Sequence, residues 1–177
     1  MALSDREFTD LFQEVYPGLC RFLECLIGRS GSAQEIAQES FLRLLRNGFH
    51  IAPRAEIKFW LYRVARNLAL NELGRRKMQR KFRNFVSGLL HSRTPMPGED
   101  LDRSERNCEL MRMLELLPEH QRAALLLREQ EMMGYAEIAQ VLNISESKVK
   151  GDIFRARCRL REERELKECD CVAKSRY

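Results

Sequence analysis

Residues 135–161 read YAEIAQVLNISESKVKGDIFRARCRLR, and this stretch predicts two helices joined by a short turn. In the second helix, apolar residues recur at the spacing of one buried face: Val149, Ile153, Ala156 and Leu160. The other face carries small, cationic and aromatic side chains: Ser147, Lys150, Gly151, Phe154, Arg155 and Cys158. Small residues let a helix approach a groove, and cations reach phosphate or guanine. The stretch therefore predicts a helix-turn-helix whose second helix reads duplex DNA.

Helix-turn-helix geometry also occurs in purely structural roles. Further cations flank the proposed reading face and favour contact with DNA: Arg157, Arg159, Arg161 and Arg164. The whole chain of 177 residues has a net charge of +5 and a pI near 9.0, which agrees with a polyanionic partner.

Composition limits where the chain can work. No apolar run is long enough to cross a bilayer, so membrane insertion is not expected. The first residues, MALSDREFTDLF, carry acids where a signal peptide has cations and an apolar core. A cytoplasmic location is therefore expected, and its six cysteines are expected to be reduced thiols.

Apolar residues recur with helical spacing almost throughout, which predicts an all-α protein. Two prolines and two glycines interrupt this pattern within VSGLLHSRTPMPGEDLDR, residues 86–103. We expect two small helical domains joined by a flexible linker and followed by a frayed tail. The predicted boundaries are residues 4–81 for the first domain, 82–103 for the linker, 104–165 for the second domain and 166–177 for the tail.

Four helices are predicted in the first domain. A helix pair covers residues 5–27 and breaks at Tyr16-Pro17-Gly18. A capping box at Ser32 and Glu35 opens the next helix, whose apolar face is Ala33, Ile36, Ala37, Phe41 and Leu44. A further helix spans residues 55–73 and runs into the cationic segment RRKMQRKFR, residues 75–83.

Two surfaces of this domain have both an ordinary and a functional interpretation. Glu35, Gln38 and Glu39 surround Leu42, which makes either a solvated face or a docking surface with an apolar anchor. Rings and cations alternate along one side of residues 59–73, where Phe59 and Tyr62 are candidates for stacking on unpaired bases. The following cations either track a nucleic-acid backbone or complement the helix dipole.

No catalytic constellation is apparent in the sequence, so an enzyme is not expected, and no cofactor is predicted. The three histidines are scattered along the chain. Cys158, Cys169 and Cys171 are weak candidates for a metal-responsive or redox-responsive site, since three thiolates without a histidine partner make a poor zinc pattern. The ordinary interpretation is a set of unrelated free thiols.

The order of these segments resembles the extracytoplasmic-function (ECF) group of bacterial RNA polymerase sigma factors. SAQEIAQESFLRLLRN resembles the polymerase-clamping helix of region 2, and FWLYRVARNLALNELGRRK resembles the adjoining segment that melts and reads the minus-ten element. LPEHQRAALLLRE, YAEIAQVLNIS and VKGDIFRARCRLRE resemble the region 4 helices that hold the minus-35 element. The first domain would then be a sigma region 2 bundle and the second a sigma region 4 helix-turn-helix.

The resemblance implies a role for each matching residue. Glu35, Gln38, Glu39 and Leu42 would bind the β′ coiled coil of core RNA polymerase, while region 4 would meet the β flap. Minus-35 DNA would be contacted by Ser147, Lys148, Lys150, Gly151, Phe154, Arg155 and Arg159. Minus-ten recognition and melting would involve Phe49, His50, Arg54, Phe59, Tyr62, Arg63, Arg66, Asn67, Asn71, Arg75 and Arg76.

The expected function is therefore to bind core polymerase, direct it to promoter DNA and help open the minus-ten region, under control of a cognate anti-sigma factor. The sequence departs from the family pattern at Gly134, where Ser or Thr is common, and at Gly151 and Asp152, where Ser followed by Arg is frequent. Two other classes remain open at this point. One is a dimeric operator-binding regulator that never joins polymerase, and the other is an interaction protein with incidental basic helices.

Overall fold

Helices account for all regular structure in the described part of the chain, which covers residues 5–28, 32–47, 53–90 and 105–174. The structure is a computed structural model, and within these ranges it describes side chains except at 47, 84–90, 105–108 and 167–174. The helices of the described ranges are α1 (Asp5–Ile27), α2 (Ser32–Asn47), α3 (Arg54–Leu90), α4 (Glu105–Glu115), α5 (Glu119–Glu129), α6 (Tyr135–Leu142) and α7 (Glu146–Lys174). The all-α prediction is confirmed.

Helices α1, α2 and α3 pack against one another as an N-terminal bundle. The face predicted for α2 is the buried one, with Ala33, Ile36, Ala37, Phe41 and Leu44 all in the core. An aromatic cluster joins α2 to the start of α1: the ring centroid of Phe12 lies 4.5 Å from that of Tyr16 and 4.9 Å from that of Phe41. Ring contacts of this kind add directional packing to the burial of apolar area.

Helix α1 passes through Pro17 without a break, so the predicted interruption at residues 16–18 is wrong. Proline cannot donate a hydrogen bond to the carbonyl of Gln13, and its ring crowds that carbonyl; together these two effects cost ~3 kcal/mol in a helix interior. Gln13 and Pro17 are both exposed, so water can hydrate the freed carbonyl. On the opposite side Val15, Leu19 and Phe22 are buried, and their packing keeps the helix continuous.

Helix α3 extends to Leu90, well beyond the helix end predicted at residue 73 and into the segment predicted as linker. Residues 77–83 are exposed throughout, so packing does not hold this part in place. Its Lys, Arg, Gln and Met residues have high helix propensity, which outweighs the linker-like composition that follows. Helix α7 likewise continues to Lys174, past the predicted start of a frayed tail at residue 166. The division into domains stays a prediction.

Two local devices fix the ends of α6. At its start, the Gly134 N–H donates to the carboxylate of Glu137, so a side chain three residues ahead caps α6 although glycine has none to offer. At its end, Asn143 has a φ of 55° and donates its N–H to the carbonyl of Ala139. Asparagine tolerates this left-handed conformation better than most residues do. The chain can therefore reverse sharply into α7.

The N-terminal bundle and helices α4–α7 share one continuous core, with α5 against α1 and α6 against α3. Polar contacts line this junction. Arg122 donates to the carbonyl of Leu26 at 2.7 Å, and Gln130 donates to Sγ of Cys25 at 3.2 Å. The two helical units are therefore packed together in this structure.

Glu131, in the turn after α5, lies at the centre of the junction. Its side chain is only 8% exposed and its Oε2 lies 3.4 Å from Nζ of Lys58 on α3. Gly18 of α1 makes room for it, because a Cβ at that position would lie 2.8 Å from Oε1 of Glu131 and 2.9 Å from the hydroxyl oxygen of Tyr62. Glycine at position 18 is thus a condition for the two units to meet this closely.

We expect Gly18→Leu to separate the two units, because its side chain would occupy the space that Glu131 and Tyr62 fill. Small-angle X-ray scattering should then show a larger radius of gyration than for the parent chain. The matched control is Gly74→Leu, also within a helix, where a Cβ would meet nothing within 4 Å. This control should keep the parent dimensions and gain stability, since glycine costs roughly 0.8–1 kcal/mol in a helix interior. Unchanged dimensions for Gly18→Leu would contradict the role given to this position.

Candidate nucleic-acid interface

Helix α7 presents the face that the sequence predicts. Val149, Ile153 and Ala156 are buried and Leu160 packs against the same core. The outer face has six exposed residues: Ser147, Lys148, Lys150, Phe154, Arg155 and Arg159. Gly151 lies among them and is half-buried. Phe154 is 68% exposed, so its ring faces solvent together with the cations of this face. Cations and one ring therefore project from a helix whose other side is anchored.

Acidic neighbours hold two of these cations in defined directions. Nζ of Lys150 lies 2.8 Å from Oε1 of Glu146 and 5.4 Å from the ring centroid of Tyr135. The hydrogen bond with Glu146 is the main reason that the pKa of Lys150 is raised, so this side chain stays charged. Nη2 of Arg155 donates to Oδ1 of Asp152 at 2.7 Å. Both cations are arranged before any ligand arrives.

Asp152 is buried beneath the outer face of α7, with a side chain that is 1% exposed. On a helical wheel Asp152 lies nearer to the stripe of Val149, Ile153 and Ala156 than to the outer face, which agrees with its burial. Besides Arg155, its Oδ1 lies 3.8 Å from Nε2 of His120 at the start of α5. Its Oδ2 has no hydrogen-bond partner among the described residues. This pairing with Arg155 was not among the predictions, although opposite charges three residues apart on a helix were the available signal.

The acidic strip of α2 lies on the surface, as predicted. Glu35 and Gln38 are exposed and Glu39 is half-buried, where it accepts a hydrogen bond from Nε of Arg43 at 2.8 Å. That hydrogen bond is the first reason that the pKa of Glu39 is lowered. Leu42 is 45% exposed, and the neighbouring Leu45, which the sequence analysis missed, is 54% exposed. Its position three residues after Leu42 was the available signal.

A cleft of about 340 Å³ lies between side chains of α2 and α3. Glu35 and Glu39 line it from α2, while Asn71 and Arg75 line it from α3. The structure thus brings residues predicted to bind polymerase next to residues predicted to meet promoter DNA. Between the two sets, Ile36 and Leu68 form an apolar floor.

On α3 the predicted promoter residues have different surroundings. Asn67, Asn71 and Arg75 are exposed. Phe59 is half-buried and packs against the core. Arg54 pairs with Glu14 of α1 through Nη2 and Oε2, 2.7 Å apart. Only some of these side chains are therefore open to a ligand in this arrangement.

Tyr62 is a correction to the sequence analysis, which proposed it as a stacking ring. It is fully buried, with its ring centroid 5.4 Å from that of Phe22 and its hydroxyl beside Glu131. Burial first of all, and then the adjacent carboxylate of Glu131, raise the pKa of Tyr62 far above its usual range. A helical wheel assigns one apolar side to α3, but this helix is covered on two sides. Tyr62 cannot stack on a base in this structure.

Two cations of α3 that were predicted to meet the opened strand form hydrogen bonds with the C-terminal unit instead. Arg63 donates to the backbone carbonyl of Gln140 on α6. Nε of Arg66 donates to Oε1 of Glu119 on α5 at 3.1 Å, and the Arg66 side chain is only 16% exposed. Contact between these side chains and DNA requires both bonds to break.

Arg76 has a structural role in this arrangement. It donates to Oγ of Ser32 at 2.6 Å and to the carbonyl of Ile27 at 3.4 Å, which ties α3 to the end of α1 and the start of α2. Its Nε also donates to Glu72 at 2.9 Å. Burial alone would raise the pKa of Glu72, but hydrogen bonds from Arg76 and Arg75 outweigh it and lower the pKa.

Some predicted site residues cannot be placed. Phe49 and His50 lie outside the described residues, as do the side chains of Cys169 and Cys171. Cys158 is half-buried. Among the described residues, no group of three or more His, Cys, Asp or Glu side chains is arranged to hold a metal ion. Nor does any helix in those ranges combine the length and apolarity needed to span a membrane.

Comparison with known families matches two models to the chain. Residues 11–79 match Sigma-70 region 2, and residues 109–160 match Sigma-70, region 4. The chain is 35% identical over 136 residues to the ECF RNA polymerase sigma-E factor of Salmonella typhimurium, covering 72% of this chain and 71% of that protein. It is 28% identical over 154 residues to RNA polymerase sigma factor YlaC of Bacillus subtilis, covering 86% and 88% respectively.

Two solved structures share the fold. The sigma factor RpoE in complex with the anti-sigma factor NepR from Bartonella quintana has a TM-score of 0.66 and 21% identity, covering 89% of this chain and 96% of that one. CnrH in complex with the cytosolic domain of CnrY has a TM-score of 0.67 and 20% identity, covering 92% and 90%. These likenesses extend over both helical units.

The pKa of Glu72 leads to a prediction about stability. A carboxylate whose pKa is lower in the folded than in the unfolded chain stabilises the fold above its unfolded pKa, which is about 4.3 for glutamate. This contribution is lost as pH falls through the folded pKa. Glu72→Gln should therefore lower the free energy of unfolding at pH 7, and the difference from the parent should shrink below about pH 4.3. Urea unfolding across this pH range measures it, with Glu162→Gln on α7 as the control for loss of an exposed charge.

Proposed function

Since the chain belongs to the extracytoplasmic-function group of RNA polymerase sigma factors, we propose that it joins core polymerase and opens a specific class of promoters. Members of this family are polymerase-binding transcription initiation factors, not enzymes. The family assignment does not favour an operator-binding regulator that works without polymerase. What remains to be proposed is how the work is divided among the residues.

The outer face of α7 supports a minus-35 reader in the C-terminal unit. Lys150, Phe154 and Arg155 project together from a helix whose opposite side is buried, which is the arrangement of a recognition helix in the major groove. Arginine can bond two acceptors of one guanine, and lysine can neutralise a phosphate. This face is the main observation behind the proposal.

The cleft between α2 and α3 supports the second part. Leu42 and Leu45 offer exposed apolar area beside Glu35 and Glu39, a composition suited to docking on a polymerase surface with cations at its rim. Asn71 and Arg75 lie across the cleft, and Asn67 is exposed on the same helix. These three side chains would receive the non-duplex strand. Docking and strand capture would then occur on neighbouring surfaces, with an unpaired base stabilised as it leaves the stack.

The closed packing of the two units sets the first step of this function. Arg63 and Arg66 bond to α6 and α5, so they can meet a DNA strand only after the C-terminal unit moves away. Polymerase would hold the two units apart while each contacts its own promoter element, and the tether would raise the effective concentration of the second reader. We also propose an anti-sigma partner, because the similar RpoE structure contains the anti-sigma factor NepR and the similar CnrH structure also contains a second protein.

The direct test is assembly followed by transcription. The purified chain should elute together with core polymerase and should direct run-off transcription from a distinct set of genomic fragments of the source bacterium. Core polymerase alone is the control. Binding of the isolated chain to an operator as a dimer, with no gain in transcription, would contradict the proposal.

The two DNA-contacting surfaces should separate in variants of the holoenzyme. Arg155→Ala should weaken binding to duplex promoter DNA about tenfold, as expected for roughly 1–3 kcal/mol per base contact. Asn67→Ala with Asn71→Ala should leave that binding in place but reduce opening, which permanganate reactivity of unpaired thymines measures. If both variants fail equally at the duplex step, the division of work is wrong.

The docking surface has its own prediction. Leu42→Asp and Leu45→Asp should each lower affinity for core polymerase, because they place a charge where apolar area would be buried; a central apolar contact is worth roughly 2 kcal/mol, or about 30-fold. Leu166→Asp, at another exposed leucine, is the control and should bind like the parent. Fluorescence anisotropy of the labelled chain measures the affinity. Equal affinities for all of these chains would exclude this surface.

A further inference from the structure

Asp152 and Arg155 form a pair that the proposed promoter contacts do not explain. Asp152 is buried in α7 and accepts a hydrogen bond from Nη2 of Arg155 at 2.7 Å. Its second oxygen has no partner among the described residues. A buried carboxylate with one unsatisfied oxygen is a net cost to folding unless its pairing offsets it. Stabilisation of the fold is therefore a poor explanation for this pair.

Arg155 lies back across its own helix to make this bond. Helical side chains lean towards the N-terminus, which carries a residue at position 155 over positions 151 and 152. A Cβ on Gly151 would lie 3.3 Å from both Nη1 and Nη2 of Arg155. The small residue at position 151 thus leaves the space in which the guanidinium rests. The Arg155 side chain is still 57% exposed, so its remaining N–H donors face solvent on the reading side of α7.

We propose that Asp152 is a positioning residue that sets the base preference of Arg155. This inference rests on the proposed function, in which Arg155 contacts promoter DNA. An arginine without such a partner samples many rotamers, and it binds phosphates as readily as bases. Asp152 fixes the plane of the guanidinium before binding, so that the free donors meet base acceptors in one orientation.

The negative charge of Asp152 acts in the same direction. It opposes the attraction of Arg155 to phosphate, which is the part of DNA binding that does not depend on sequence. Removing the carboxylate should therefore strengthen binding to unrelated DNA while it weakens discrimination between bases. A residue with a purely structural role would lower both together.

The experiment uses holoenzyme and a duplex promoter identified by run-off transcription. Every single-base change in the minus-35 element is made, and competition binding gives the preference at each base pair. Arg155→Ala locates the base pair that Arg155 reads. Asp152→Asn should reduce the preference at that base pair about fivefold, with no loss of binding to unrelated DNA. When Arg155→Ala is already present, adding Asp152→Asn should have no further effect on the preference at that base pair. Glu162→Gln makes the same change in net charge at an exposed position of α7 and should leave the preference unchanged.

Asp152→Leu separates positioning from stability. An apolar side chain at this buried site should keep the melting temperature at or above that of the parent, and should still lose the preference at the same base pair. If Asp152→Asn fails to fold, the Leu variant decides the question. A retained preference in the folded variant, with Arg155→Ala still harmful, overturns the inference and leaves the proposed function in place. If Arg155→Ala changes no preference, the proposed reading by α7 fails as well.

Discussion

The fit of Glu131 between α1 and α3 is the constraint on which the closed arrangement depends. Its carboxylate enters a space bounded by the backbone of Gly18, the ring of Tyr62 and the ammonium of Lys58. Such a site tolerates a charge only because a cation lies close by and because the glycine has no side chain. Tyr62 belongs to the N-terminal core and also borders the C-terminal unit, so packing within one unit is coupled to contact between the two.

The contact between the two units also decides which side chains of α3 are accessible. Arg63 and Arg66 bond to the C-terminal unit, whereas Asn67, Asn71 and Arg75 lie farther along the helix and stay exposed. A single helix therefore carries an occupied half and an open half. The open half borders the cleft beside α2, so the surfaces proposed for docking and strand capture are the ones that closure leaves uncovered.

Much of this architecture could be predicted from local sequence. The stripe of α7 and the apolar face of α2 follow from helical periodicity, because each of these helices packs on one side. Tyr62 could not be assigned in this way, since α3 is covered by α1 and α2 on one side and by α6 on another. The break predicted at Pro17 was wrong for a related reason. Pro17 lies on the solvent side of α1, and the buried residues on the opposite side keep the helix continuous. The pairing of Asp152 with Arg155 follows from opposite charges three residues apart on a helix, a signal that the search for apolar stripes does not use.

The bond between Arg66 and Glu119 has a thermodynamic consequence. Any ligand that needs Arg66 must displace Glu119, so its apparent affinity equals its intrinsic affinity multiplied by the fraction of molecules in which that bond is already broken. Linkage is reciprocal, so a ligand that captures Arg66 raises the affinity of any other ligand for the uncovered surface of α5 by the same factor. Two binding events on opposite units would then be cooperative without touching each other.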